Sequence, residues 1–312
     1  MPFLVLLIIA LTFGSVVAFI TWRYPRTPTS MNIARELGET VPSQPLLRAM
    51  TAARLDPATA TGLALTLALV FAIGGGLLLG VLAYLVRTNS QVNGIDNSVA
   101  RWGNGHASAL STHGLNLITQ LGSISTVTAL CLVLAVVETV RTRSVWVVPF
   151  IIAVVGGEEI LTNTIKQLAD RVRPAFNPAA ATLGPSFPSG HSATAAAFYA
   201  GAALLLGRKR LRPTRAVLAA LAAGIAVAVA GSRVLLDVHW LSDVIAGLAL
   251  GWAWLGACSI AFGGRLLRFG ATAEAAARTA KAENSMETFE GAVRTTTHSD
   301  REVRDAKVGK PV

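Results

Sequence analysis

Long apolar stretches constrain this chain more than any other feature. A helix needs about 20 apolar residues to cross roughly 30 Å of hydrocarbon. Seven such stretches run approximately over residues 3–22, 61–86, 115–140, 145–168, 191–207, 215–233 and 240–263. Lipid offers backbone groups no hydrogen bonds, so repeated spans of this length predict an all-α integral membrane bundle. The composition agrees: 53% hydrophobic residues, 14% charged residues and a mean hydropathy of +0.55 exclude an ordinary soluble domain. The fifth and sixth stretches are short and rich in Ala and Gly, as expected of helices packed closely on their neighbours. Both cysteines, Cys131 and Cys258, lie inside apolar runs, which excludes a disulfide framework and a cysteine-based zinc site.

Three regions follow. Residues 1–60 read as an N-terminal transmembrane helix with a polar, proline-bearing linker, 61–263 as a six-helix membrane domain, and 264–312 as a hydrophilic cytoplasmic tail. The net charge of +10 could suggest nucleic-acid binding, but residues 270–312 carry seven basic and seven acidic side chains. The excess therefore lies in the membrane part, where it suits loops beside anionic headgroups, and no nucleic-acid partner is expected.

Positive charges also set the orientation, because short cytoplasmic loops are enriched in Lys and Arg. Arg208, Lys209, Arg210, Arg212 and Arg215, with no acid among them, join the fifth and sixth stretches. Arg141 and Arg143, the arginines of the 23–60 linker, and Arg265 and Arg268 fall on the same side if every stretch crosses. The C-terminus is then cytoplasmic, and the connections at about 169–190 and 234–239 are extracytoplasmic. Val16 and Ala18 make a weak signal-peptidase site; cleavage there would leave the arginine-rich linker outside, so the first helix is read as retained.

The extracytoplasmic connections hold the residues that can do chemistry. Lys166 is followed after six residues by Arg173 and Pro174; Pro188, Ser189, Gly190 and His191 open the fifth stretch. Ser232 and Arg233 are followed after five residues by His239 and after three more by Asp243. These spacings, Lys-x6-Arg-Pro, Pro-Ser-Gly-His and Ser-Arg-x5-His-x3-Asp, resemble the three signature motifs of the type 2 phosphatidic acid phosphatase superfamily, without gap or substitution. The resemblance covers about residues 61–263 and implies a six-helix core with one extra N-terminal helix. It also implies a phosphatase acting on a lipid phosphate, such as phosphatidic acid or a polyprenyl diphosphate, at the plasma membrane. By the same resemblance His239, Asp243 and His191 carry catalysis, while Lys166, Arg173, Ser189, Gly190 and Arg233 bind the phosphate.

Elementary chemistry independently gives these residue types a reason to converge. A phosphate monoester brings nearly two negative charges, which Lys166, Arg173, Arg233, the Ser189 hydroxyl and the amides at a helix start could hold. With three cations and no carboxylate cluster, no metal or other cofactor is expected. If a helix starts near His239, Asp243 lies one turn on and can take the Nδ1 proton, leaving Nε2 free to attack phosphorus. His191 would protonate the leaving alkoxide and then activate water. A phosphotransferase using the same phosphohistidine, and a non-enzymatic protein with a retained phosphate site, are the alternatives.

Other ionisable residues receive lesser readings. Glu159, Asn163 and Lys166 fall on one helical face, so Glu159 and Asn163 could support the lysine from within the bundle. His106 and His113, without matched partners, read as structural or interfacial. Asp170, Arg171 and Asp237 read as solvated loop charges.

Overall fold

The computed structural model describes residues 2–23, 57–106, 108–208 and 210–262; the 23–60 linker beyond its first residue and before residue 57, and the tail, lie outside them. The described residues form nine α-helices and no strand: α1 Pro2–Arg23, α2 Pro57–Thr88, α3 Ser90–Gly105, α4 Ala109–Gln120, α5 Ile124–Thr142, α6 Val147–Ala169, α7 Gly190–Leu206, α8 Arg212–Leu235 and α9 Leu241–Phe262. Helices α1, α5, α6, α8 and α9 are each long and apolar enough to cross a membrane. The 17 residues of α7 reach about 25 Å, adequate for a span enclosed by other helices.

The expected stretch at 115–140 is not one helix. Helix α4 ends at Gln120, and Ser123 starts α5 by accepting the Thr126 N–H on its hydroxyl at 3.4 Å. The polar connection after α2 is mostly helical rather than loop. Asn89 caps α3 by accepting the N–H groups of Gln91 and Val92 at 2.8 and 3.2 Å, and α3 leaves the line of α2 at 91°. Gly103 lies against Leu235 at the end of α8, Gly114 of α4 lies against Phe3 of α1, and Thr119 bonds Arg233. Helices α3 and α4 thus cover one end of the bundle, and α5 supplies the crossing.

Without a hydrophobic drive between helices in lipid, small residues and close van der Waals contact must hold such a bundle. Helix α7 occupies its middle, with Ala193, Ala195, Ala196, Ala197 and Phe198 all buried. Gly247 and Gly251 of α9 let the two backbones meet: a Cβ at Gly247 would stand 2.5 Å from Ser189 O, and one at Gly251 2.8 Å from Ala196 Cβ. Phe150, Val154, Phe198, Leu205 and Leu255 fill the space between α6, α7 and α9. Helix α1 packs antiparallel on α8, with Leu6, Ala10 and Gly14 beside Gly231, Gly224 and Ala220 in turn.

Gly251→Ala should therefore lower stability by about 1–3 kcal/mol through the α7–α9 contact. Gly76→Ala, where a Cβ would meet no atom within 4 Å, should not. Thermal unfolding of the two variants in detergent checks this, and equal midpoints would contradict it.

Candidate active site

The site lies at the bundle end that α3 and α4 cover, where the 170–189 segment and the 236–240 turn meet the start of α7. Local rules already shape it. Trp240 precedes α9, and Asp243, in its first turn, accepts the Trp240 N–H on Oδ2 at 3.0 Å, the acidic half of a capping box. The carboxylate that caps the helix therefore points back at residue 239. The Ser189 N–H donates to Asp243 O at 3.0 Å, tying the start of α7 to the start of α9. In α7 the first helical amide bond is Ala193 N–H to Ser189 O, so the N–H groups of Gly190, His191 and Ser192 precede the ladder.

His239 is buried, 2% exposed. Arg173 Nη1 donates to its Nε2 at 3.1 Å, so the ring proton belongs on Nδ1, which faces Asp243 Oδ2 at 3.6 Å. That separation is longer than a hydrogen bond; such contacts commonly tighten once substrate is bound. Burial is the largest influence on the ring and holds its pKa down to about 4, against an opposing contribution from Asp243.

The cations are set by different means. Arg173 is buried and donates from Nε to Gly184 O at 2.8 Å, from Nη1 to Val238 O at 2.6 Å, and from Nη2 to Pro185 O and Leu183 O at 3.2 and 3.4 Å. Gly184, at φ 73°, turns the chain so that these carbonyls converge on the guanidinium. Arg233 donates from Nη1 to Thr119 Oγ1 at 3.0 Å, and its buried Nε has no partner. Lys166 reaches the start of α7: its Nζ lies 3.8 Å from where a Cβ on Gly190 would stand. Ser189 Oγ accepts from Ser192 Oγ at 2.9 Å. The half-buried His191 lies in the combined field of Arg233, His239, Lys166 and Arg173. The structure thus brings together His191, His239, Asp243, Lys166, Arg173, Ser189, Gly190 and Arg233.

Several sequence expectations need correction. Arg171 is no solvated loop charge: it donates from Nη1 to Asp243 Oδ1 at 2.6 Å and Ser242 Oγ at 2.8 Å, and from Nη2 to Asp96 Oδ2 at 2.8 Å and Asn93 Oδ1 at 3.2 Å. Asp237 is buried at φ 55°, with Oδ1 unpartnered, and burial raises its pKa to about 6. The fully buried carboxylate of α6 is Glu158 rather than Glu159; it accepts from Thr162 Oγ1 at 2.5 Å and Thr194 Oγ1 at 2.9 Å. Glu159 accepts from the Nδ2 of the exposed Asn163 at 3.0 Å, a contact within the group of side chains expected on that face. Asp96, Asn93, Thr119 and Thr194 were missed because no spacing links them to the motifs; only the partners reached across the fold mark them.

Residues 145–266, which include every one of these motif positions, match the PAP2 superfamily. The candidate site thus lies within a stretch similar to the PAP2 superfamily. Over 111 residues it is 37% identical to "Phosphatidylglycerophosphatase B" of Bacillus subtilis (strain 168), a match covering 35% of this chain and 55% of that protein. It is 35% identical over 116 residues to "Lipid A 1-phosphatase" of Rhizobium etli, covering 34% of this chain and 46% of that protein. The chain thus spans about half the length of the curated relatives it matches. Among solved structures it is similar to a transmembrane PAP2-type phosphatidylglycerolphosphate phosphatase from Bacillus subtilis, with a TM-score of 0.59 and 27% identity, over 64% of this chain and 99% of the other. The PAP2 match begins at residue 145, so α1 to α5 lie outside it.

The depressed His239 value carries a direct expectation. Between pH 4 and 6.5 the unfolded ring holds its proton while the folded one releases it, so this group adds stability as pH rises through that window and removes it on acidification. In histidine-labelled protein the His239 Cε1 resonance should titrate near 4 rather than 6.5. Titration at the ordinary value would contradict the burial described.

Proposed function

We propose that this chain is a lipid phosphate phosphatase that works through a phosphohistidine on His239. The observation that carries the reading is the state of that ring: Nε2 bears its lone pair toward Arg173 while Nδ1 faces Asp243. A phosphate oxygen entering the pocket takes over the Arg173 Nη1 donor, freeing Nε2 for in-line attack on phosphorus. Lys166, Arg233 and the amides that open α7 hold the equatorial oxygens as charge redistributes. His191 gives its proton to the departing alkoxide. It then takes a proton from the water that cleaves the N–P bond, releasing inorganic phosphate. The charge on phosphorus is held by three side-chain cations, so chelators are expected to leave the rate unchanged.

A lipid substrate follows from the setting. The pocket stands at the end of a membrane-spanning bundle, where headgroups arrive by lateral diffusion. Relatives named for phosphatidylglycerophosphate and for the 1-position of lipid A support a phosphate on a lipid headgroup. The far end of the bundle carries Arg141, Arg143, Arg208, Arg210 and Arg215, which supports a plasma-membrane orientation with the site on the extracytoplasmic face.

His239→Ala should abolish turnover and acid-labile phosphoenzyme labelling in a protein that still folds. Asp243→Asn should lower kcat by roughly 10²- to 10⁴-fold. His191→Ala should lose more rate on an alkyl lipid phosphate than on p-nitrophenyl phosphate, whose leaving group needs no proton. Phosphate release by the purified wild type and variants from phosphatidic acid, a polyprenyl diphosphate and p-nitrophenyl phosphate, each without an added acceptor, together with acid-labile labelling, reads all three. Turnover by His239→Ala would end the mechanism, and release only when an acceptor is supplied would make the chain a phosphotransferase.

A further inference from the structure

Arg171 occupies one of the six unspecified positions of the Lys-x6-Arg-Pro motif, yet its side chain makes four hydrogen bonds to residues of α3 and α9. Its two terminal nitrogens divide the work: Nη1 serves Asp243 Oδ1 and Ser242 Oγ, and Nη2 serves Asp96 Oδ2 and Asn93 Oδ1. The guanidinium carbon also lies 5.5 Å from the centre of the Trp240 ring. Asp96 completes the arrangement by accepting the Ser242 N–H on Oδ1 at 2.9 Å and the Ser242 hydroxyl on Oδ2 at 2.5 Å. Asp96 and Asp243 are both buried.

Resting on the phosphatase reading above, we propose that Arg171 and Asp96 are positioning residues for the His239–Asp243 pair. Arg171 occupies Oδ1, so that Oδ2 is the oxygen presented to the ring. Asp96, from the helix that covers the pocket, fixes Arg171 and the first turn of α9 together. Charge gives the second half of the argument. Two carboxylates and one guanidinium leave this cluster one negative charge in excess, opposite in sign to the charge the imidazole acquires when Nε2 bonds to phosphorus. The cluster acts on the ring through Asp243, while Arg173, Arg233 and His191 act on it as the opposing set.

A purely structural account also exists, because Asp96 and Asp243 accept amide protons at the start of α9, where a helix dipole favours carboxylates. Two variants separate the accounts. Asp96→Asn keeps an acceptor for the Ser242 N–H and removes the charge. Arg171→Gln removes the opposite charge from the same cluster. The measurement is the titration midpoint of the His239 Cε1 resonance in the full-length, histidine-labelled chain in detergent micelles, assigned by its loss in His239→Gln. It is read beside kcat and KM for phosphatidic acid.

The midpoint should rise in Arg171→Gln and fall in Asp96→Asn. In both, kcat should drop about 10- to 100-fold, with KM held within about threefold. Arg171→Lys should keep the midpoint near wild type but not restore kcat, because an ammonium lacks the planar fork that reaches both carboxylates. Midpoints that move together, or not at all, would overturn the positioning inference, as would full activity in Arg171→Gln. Opposite shifts in a chain whose wild type releases no phosphate from any lipid phosphate would instead end the phosphatase reading and leave the electrostatic clamp standing.

Discussion

Three side-chain cations, Lys166, Arg173 and Arg233, converge on one small volume and repel one another there. Most of what surrounds them serves to hold them against that repulsion. Arg173 is fixed by carbonyls of the 183–185 segment and of Val238, and Arg233 by Thr119 at the end of α4. An anion entering such a place meets donors already oriented, so little reorganisation remains for the reacting state to supply. The unpartnered Arg233 Nε and the open amides at the start of α7 fit a pocket arranged for a visitor rather than for itself.

That convergence depends on backbone proximity deeper in the bundle. Gly247 and Gly251 let α9 lie directly against α7, so the turns that carry His191 and His239 emerge side by side. The Ser189 amide bound to Asp243 O fixes their register at the top of the contact. Helices α3 and α4 then bring Asp96 and Thr119 over the same end, each in contact with a charged residue of the site. The cover of the pocket and the electrostatics of the pocket are consequently parts of one packing arrangement.

Much of this was legible from residue order, for identifiable reasons. Span length and backbone satisfaction in lipid leave few options besides a helical bundle, and the motif spacings mark the turns that carry the charged groups. The break at Leu121–Ser123 was hidden because apolar residues continue on both sides of it, and helix α3 because its polar face resembles a loop. Arg171 looked solvated for a similar reason: nothing in its neighbourhood along the chain announces Asp96, which lies 75 residues earlier. Glu158 and Glu159 are adjacent, and a shift of one residue turns a side chain by about 100° around a helix, enough to decide which carboxylate faces Thr194.

The central claim is that His239 Nε2 and the three cations address a single phosphorus. Orthovanadate, which adopts the five-coordinate geometry of phosphoryl transfer, tests it most directly through an experimental structure of the full chain with the ion bound. The account predicts vanadium bonded to His239 Nε2, with its oxygens within hydrogen-bonding distance of Lys166, Arg173, Arg233 and the first amides of α7. Vanadate bound elsewhere, or an occupied pocket in which Nε2 still accepts from Arg173, would contradict it.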